Sequence, residues 1–252
     1  ANTVSLTVAE AIRVQGPELY GFVLFGWWTS GGGIEGTFLW TGTHPPLLNA
    51  MPERAARELA DVLAARGPAI AGVNGTPVTA AAFAEAWRRR TGAPSRIGMR
   101  QRLHRLARLE PPDPAPDGAA RVAGGADLDL VLEWSAQFHR DAGGGAPNAA
   151  VTRGRLAEGG ITLWEAGGRP VAMAGRTPAV AGVARIAPVY TPAEYRRRGY
   201  GAAVTAAATQ GALDAGAGGV VLFTDLANPT SNGVYRRIGY RPVEDRVVLA
   251  FG

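Results

Sequence analysis

The chain has 252 residues, a formal charge of +5, and 46% hydrophobic against 19% charged residues, which suits one large or two ordinary folded domains and excludes a disordered chain. It has no cysteine, so disulfides, thiolate nucleophiles and thiolate metal sites are excluded. All 26 basic residues are arginine in a chain dominated by Ala, Gly, Arg and Pro, which points to a GC-rich bacterial genome rather than to nucleic acid, and no nucleic-acid partner is expected.

The first residues show no basic segment followed by an apolar core, so no signal peptide is expected. The longest strongly apolar run, FVLFGWW, is far too short for a bilayer. A cytoplasmic protein without a membrane partner is therefore expected. His44, His104 and His139 are too scattered to bind a metal together.

In chain order, LYGFVLFGWW and IEGTFLW read as two strands around a glycine turn. Strand-like sequence begins so early that no opening helix is expected. PERAARELADVLAARG is an amphipathic helix, AIAGVNG a short strand and TAAAFAEAWRRRTGA a second helix. RIGMRQRLHRLARL is a strand by position. The run EPPDPAPDGAAR is proline-rich and polar, and reads as an extended linker. It suggests three spans: a first domain over 1–110, a linker over 111–121 and a second domain over 122–252.

In the second span, Asp127 is placed to cap a helix reaching about Asp141, and a short helix follows near Ala149–Glu158. ITLWEA, a Gly-Gly turn and RPVAMAG form a hairpin. VAGVARIAPVY is a strand whose Pro188 lacks a backbone donor and belongs at a bulge or an unpaired edge. An alanine-rich helix follows from about Gly199 to Ala215. GVVLFTD is a buried strand, PTSNGVYRRIG a helix and RPVEDRVVLAF a closing strand. AWRRRTGA and VYRRIGYR share an aromatic–arginine–glycine order, which suggests that the two halves are copies of one unit.

The junction VYTPAEYRRRGYGA, Val189 to Ala202, joins a strand to a helix through arginines and glycines. The first N–H groups of a helix lack intrahelical partners, and the helix dipole favours an anion there. Glycine admits a close phosphate and arginine supplies a planar fork. A P-loop would need lysine, and a dinucleotide fingerprint would need glycine where Val204 stands. What remains, R-x-x-G-x-G at Arg196–Gly201, also suits an ordinary strand–helix turn.

With N-x-x-S-N-x-x-Y-x-x-x-G-Y further on (Asn228, Ser231, Asn232, Tyr235, Gly239, Tyr240) and the preceding Val189-Tyr190-Thr191, the second half resembles the GNAT superfamily of N-acetyltransferases from about Arg121 to Gly252. The resemblance implies an α/β (α+β) fold of tandem GNAT-like mixed sheets flanked by helices, with the C-terminal GNAT domain intact and the N-terminal one degenerate. It implies acetyl-CoA, or another acyl-CoA, as donor, with transfer to a primary amine of a small molecule in a ternary complex; no metal is expected. The pyrophosphate would meet the backbone of Arg197, Arg198, Gly199, Tyr200, Gly201 and Ala202, with Arg196 opening the motif. The pantetheine arm would lie beside Val189, Tyr190 and Thr191, with Asn228, Ser231 and Asn232 also lining it. Val189 N–H would bind the thioester oxygen, and Tyr235 would protonate the leaving thiolate. A non-catalytic acyl-CoA-binding module, a peptide or protein amine as acceptor, and a homodimer stay open.

The general base has no unique candidate; Glu133, His139, Glu165, Glu194 and Asp225 are considered. The first half has WTGTHPPLLNAMPERAA at the equivalent junction, where Pro45 and Pro46 would remove donors, and Trp87 in place of Tyr235. No CoA site is expected there; Trp27, Trp28 and Trp40 are candidates to line an acceptor pocket.

Overall fold

Glycine and proline punctuate the chain where its backbone changes direction, and the elements fall between them. The computed structural model describes residues 3–42, 44–67, 70–142 and 147–252. In chain order the elements are α1 (Thr3–Gln15), β1 (Val23–Ser30), β2 (Gly33–Thr41), β3 (Leu47–Leu48), α2 (Glu53–Arg66), β4 (Gly72–Gly75), α3 (Pro77–Thr91) and β5 (Ser95–Leu106). They continue as β6 (Ala119–Val122), α4 (Leu128–Asp141), α5 (Ala149–Ala157), β7 (Ile161–Ala166), β8 (Arg169–Arg176), β9 (Val183–Tyr190), α6 (Tyr200–Asp214), β10 (Gly219–Asp225), α7 (Pro229–Arg237) and β11 (Tyr240–Phe251).

The chain forms two compact units. The first holds Ala1–Leu103, Thr224–Asn228 and Val243–Gly252; the second holds His104–Phe223 and Pro229–Pro242. The last strand thus leaves the second unit after Pro242 and completes the first. There, Val247 to Ala250 of β11 run antiparallel to Gly75 to Gly72 of β4.

In the first unit the strand order is β1-β2-β3-β4-β11-β5. Its core gathers Leu48, Ala56, Ala60, Leu63, Val73, Phe83, Trp87 and Val247. Small alanines at Ala56 and Ala60, one turn apart, let α2 lie close to its neighbours. Thr76 caps α3 through its hydroxyl, which accepts the Thr79 N–H at 3.3 Å, and Pro77 follows at the first helical position. Gly67 and Gly92 end α2 and α3 in the left-handed conformation. The expectation of no opening helix is corrected: α1 supplies one of 13 residues. At 1.5 Å rise per residue it fits readily ahead of β1. Its Val4, Leu6 and Val8 alternate with Ser5 and Thr7, a period of two that hides a helix from periodicity.

In the second unit the strand order is β10-β9-β8-β7-β6. The β7–β8 turn has positive φ at both Gly167 and Gly168, the geometry of a tight hairpin. Side chains alternate across the sheet. Ala172, Ala174 and Ile186 pack with Val204 and Ala208 of α6; Leu163 and Met173 pack with Val131, Trp134 and Leu156 of α4 and α5. Asp127 does not cap α4 as expected. Its carboxylate turns back to the Gly124 N–H at 2.8 Å and to Arg121 at 2.7 and 2.8 Å. The Arg121 guanidinium holds that carboxyl below its ordinary pKa.

Among the described residues no helix is long and apolar enough to cross a membrane, and no group of His, Asp and Glu is placed to hold a metal ion.

Candidate active site

The site is built where β9 leaves β10. Parallel pairing with β10 covers Val183↔Gly219, Ala184↔Val220 and Arg185↔Val221, then stops. From Ile186 onward β9 has no ladder partner on that side among the described residues. On its other side, Arg176 pairs with Ile186 and Ala174 with Val189, so Ala187 and Pro188 together oppose the single residue Gly175. This is a β-bulge, and Pro188 sits in it as its sequence required.

The bulge resets which face each side chain meets. Ile186 and Tyr190 are four apart, so a regular strand would place both on one face. Instead Ile186 packs in the α6 cluster and Tyr190 in the α4 cluster. Val189 thereby joins the face that carries Tyr235. The Tyr190 hydroxyl donates to Gln137 Oε1 at 2.7 Å, and its ring makes a tilted contact with Trp134.

After Tyr190 the loop climbs to α6. Arg196 turns back, donating Nε to the Thr191 carbonyl at 2.9 Å and Nη2 to Asp141 Oδ2 at 2.7 Å. Its guanidinium therefore ties the loop to the end of α4. Arg197 and Arg198 are exposed. Arg197 has φ 64 and Gly199 φ 84, so two left-handed residues bend the backbone just ahead of the helix. Such a bend turns successive N–H groups to one side. Among the described residues, no N–H from Arg197 to Gly201 donates to a backbone carbonyl in this loop, whereas those of Ala202 and Ala203 both reach the Gly199 carbonyl at 3.1 Å. Ala202, expected among the phosphate donors, has its N–H engaged within the helix. A Cβ built on Gly201 would stand 3.4 Å from Thr191 Oγ1, so the position is snug rather than closed. Tyr200 sends its ring into the α6 core, which leaves its backbone as its only contribution to the loop.

Tyr235, on α7, is buried in the same cluster, and its ring stands edge-on to Tyr240 with centroids 6.3 Å apart. No hydrogen bond engages its hydroxyl among the described residues. Burial pushes its pKa up to about 12, so it keeps its proton at neutral pH. Tyr240 is raised as well, chiefly by burial, and its hydroxyl shares a 2.7 Å hydrogen bond with Thr209. Ser231 and Asn232 lie half-buried in the first turn of α7. Asn228 falls in the Thr224–Asn228 segment of the first unit, where its N–H donates to the Asp225 carbonyl at 3.1 Å.

The five candidate bases have visible occupations or none near the site. Glu133 accepts from Gln137 at 2.9 Å, and His139 Nδ1 meets the Ser135 carbonyl at 2.8 Å. Glu165 pairs with Arg121 at 2.8 Å, Glu194 is exposed, and Asp225 accepts the Ala227 N–H at 2.8 Å. Sequence reasoning missed Gln137, Asp141 and Arg155, the last of which donates to the Ala187 carbonyl at 2.6 Å. Each is a polar residue on a helix, distant in sequence from its partner, and no local pattern marks it.

In the first unit the matching junction differs. β3 pairs with β4 only at Leu47↔Asn74. Pro45 and Pro46 precede β3, rather than standing in the strand–helix loop as expected. The residue that lacks a donor there is Pro52, which caps α2 without a side-chain hydrogen bond, followed by acidic Glu53. Where β3 ends, the Arg246 guanidinium donates to the Leu48 carbonyl at 2.6 Å, to Asn74 Oδ1 at 3.2 Å and to Glu244 at 2.9 Å. Trp87 is buried and stacks on Phe83 and Phe251. Of the three candidate lining tryptophans, Trp40 is core, Trp28 donates to Glu58 at 2.8 Å, and Trp27 is exposed.

A mixed sheet that parts beside a helix start with unpaired N–H groups offers donors to an anionic ligand. Residues 128–240 match the family model described as the acetyltransferase (GNAT) family, and this stretch is a GNAT acetyltransferase domain. The whole chain is similar in fold to a GCN5-related N-acetyltransferase from Kribbella flavida, with 21% identity over 97% of this chain and 95% of that one and a TM-score of 0.63. It is also similar to a GNAT-family acetyltransferase from Colwellia psychrerythraea (11% identity, 96% and 88% covered, TM-score 0.59). A tandem GNAT protein from the clavulanic acid biosynthesis pathway aligns with 15% identity over 98% of this chain and 87% of that one, TM-score 0.57. At these identities the likeness is one of fold. No curated protein sequence matches the chain. Acetyl transfer is the activity that the family implies.

Proposed function

We propose that the second unit transfers an acetyl group from acetyl-CoA to a primary amine of a small molecule, by direct attack with both substrates bound. The observation that carries this reading is the parting of β9 from β10 beside the N–H groups of Arg197 to Gly201. Those groups and the two left-handed residues fit a pyrophosphate, and the unengaged Tyr235 phenol fits a leaving thiolate. Bound acetyl-CoA supplies an activated acyl carbon and a thiolate leaving group.

The chain's own residues then have distinct tasks. The backbone of Arg197 to Gly201 holds the phosphates, with the side chains of Arg197 and Arg198 adding charge. Arg196, fixed to Thr191 and Asp141, keeps the loop in the shape that presents those donors. Val189, re-aimed by the bulge, offers its N–H to the thioester oxygen as negative charge develops there. Tyr235, its pKa raised by burial to about 12, carries its proton at neutral pH and gives it to sulfur as the carbon–sulfur bond breaks, and the phenolate regains a proton from water. No side chain is assigned as base, and water relays the amine's proton outward.

Calorimetric titration with acetyl-CoA, and separately with NADH and ATP, tests the donor. Selective acetyl-CoA binding followed by thiol release with a panel of amines is expected. Binding without release for any amine would favour a non-catalytic acyl-CoA module, and no binding would remove the proposal.

A further inference from the structure

The bulge that aims Val189 disrupts the ladder locally, so backbone groups there gain from a partner outside it. The Ala187 carbonyl is such a group, and its donor is a side chain: Arg155 Nη1, from the last turn of α5, at 2.6 Å. Two glycines clear the path. A Cβ on Gly160 would come within 2.8 Å of Arg155 Cγ, and a Cβ on Gly175 within 2.6 Å of the Ala187 oxygen and 3.1 Å of Arg155 Nη1. Gly160 and Gly175 lie at the edge and the apex of the bulge region, since Gly175 is the residue that Ala187 and Pro188 jointly oppose. The guanidinium thus gives the Ala187 carbonyl a charged side-chain donor at the step where β9 exchanges faces.

We propose that Arg155 is a positioning residue for acyl transfer: it clamps the Ala187 carbonyl and so fixes the bulge that presents Val189. The proposal rests on the reading of this unit as the acetyl-CoA site. Arg155 meets β9 at the backbone, on the Ala187 carbonyl. Charge makes it suited to the task, since a hydrogen bond from a charged donor is shorter and stronger than a neutral one.

The test begins without ligand. Hydrogen exchange of the full chain is compared between wild type and Arg155→Ala, with Arg155→Lys as the conservative variant. Exchange of the 187–191 segment is expected to quicken at least tenfold in Arg155→Ala, with the 199–203 segment and α6 unchanged. Arg155→Lys should restore much of the protection. In turnover, kcat should fall about tenfold while KM for acetyl-CoA stays within about twofold, because the phosphate-binding backbone is untouched. Added guanidinium should recover part of the lost kcat in Arg155→Ala and none in wild type.

Unchanged exchange at 187–191, or a uniform increase across the unit, would overturn the proposal. So would an unaltered kcat in the presence of local loosening. A wild type that neither binds nor turns over acetyl-CoA would remove the site reading and the positioning role with it. The unliganded exchange distinguishes that case, because it reads the Arg155 clamp whatever the ligand.

Discussion

In the second unit, β9 runs eight residues, bulges at Ala187–Pro188 and ends in a loop of arginines and glycines. In the first, β3 is two residues long and passes through Asn49 to Pro52 and Glu53. The order of elements from the hairpin on is alike: a hairpin, a third strand, a helix, a fourth strand, another helix and a closing strand, preceded by α1 in the first unit and by β6, α4 and α5 in the second. What differs is what meets the backbone where strands part. In the second unit the backbone is left with free N–H groups and glycines. In the first, Arg246 binds the Leu48 carbonyl, and the Asn49 side chain is tied between Ser5 and Thr37 at 3.0 and 2.8 Å. A fold can keep its architecture while the side chains that meet its parted strands change.

The sharpest break of this comparison is removal of the Arg246 guanidinium. Arg246→Met keeps the bulk but leaves the Leu48 carbonyl and Glu244 without their donor. Losing a buried charged donor of this kind costs about 3 kcal/mol, or roughly 6–12 °C in Tm for a chain of this size. Acetyl-CoA should still bind with one equivalent, because Pro52 and Glu53 remain. Calorimetry that reports a second equivalent would show that Arg246 alone closed the first unit to the donor.

Next in size is Tyr235→Phe, which probes what only the second unit holds. A positioned acid contributes about 100-fold or more, so kcat should fall by about that factor with acetyl-CoA affinity little changed. The same phenol gives a pH signature. Its folded pKa lies above the ordinary tyrosine value, so burial of the neutral form contributes stability that is complete below about pH 10. That stability is lost as pH rises from about 10 to about 12. Urea midpoints measured across this window should decline, and the decline should be shallower in Tyr235→Phe. It should not vanish, because Tyr240 is raised in the same direction.

Gly201→Glu asks whether the loop is an anion site. Glycine there has ordinary φ, so the fold should tolerate a side chain, but a carboxylate would face the phosphates. Affinity for acetyl-CoA should weaken about 30-fold, near 2 kcal/mol. An unchanged dissociation constant would mean that the free N–H groups of the loop are structural, and the contrast with the first unit would lose its meaning.

The second unit was largely legible in the sequence because its elements announce themselves locally. Gly167-Gly168 reads as a hairpin turn, Pro188 as a bulge or an unpaired edge, and Gly199-Tyr200-Gly201 as a helix start, and each is where its local chemistry allows. The missed features are of two kinds. α1 hides because its apolar residues alternate, and β3 because two residues carry no period. Arg155, Asp141, Gln137 and Arg246 hide because their partners lie 32, 55, 53 and up to 198 residues away, and an arginine-only basic set gives no compositional cue. The reach of β11 into the first unit is of the same sort, since a strand's own sequence does not name the edge that it joins.

The smallest expected effect tests whether the two units can be compared as separate bodies at all. Thr76 caps α3 in the first unit through its hydroxyl. Thr76→Ala removes that acceptor from the Thr79 N–H and should cost about 1 kcal/mol, or roughly 2–4 °C in Tm. Nothing in the Arg197–Gly201 loop changes, so the acetyl-CoA dissociation constant should stay within about twofold of wild type. Two transitions on heating, with only one displaced by the substitution, would sharpen the comparison by giving each unit its own stability. A single transition together with weakened acetyl-CoA binding would break it. A cap 100 residues or more from the loop could then reach the ligand only if folding of the first unit and order in the second were one equilibrium.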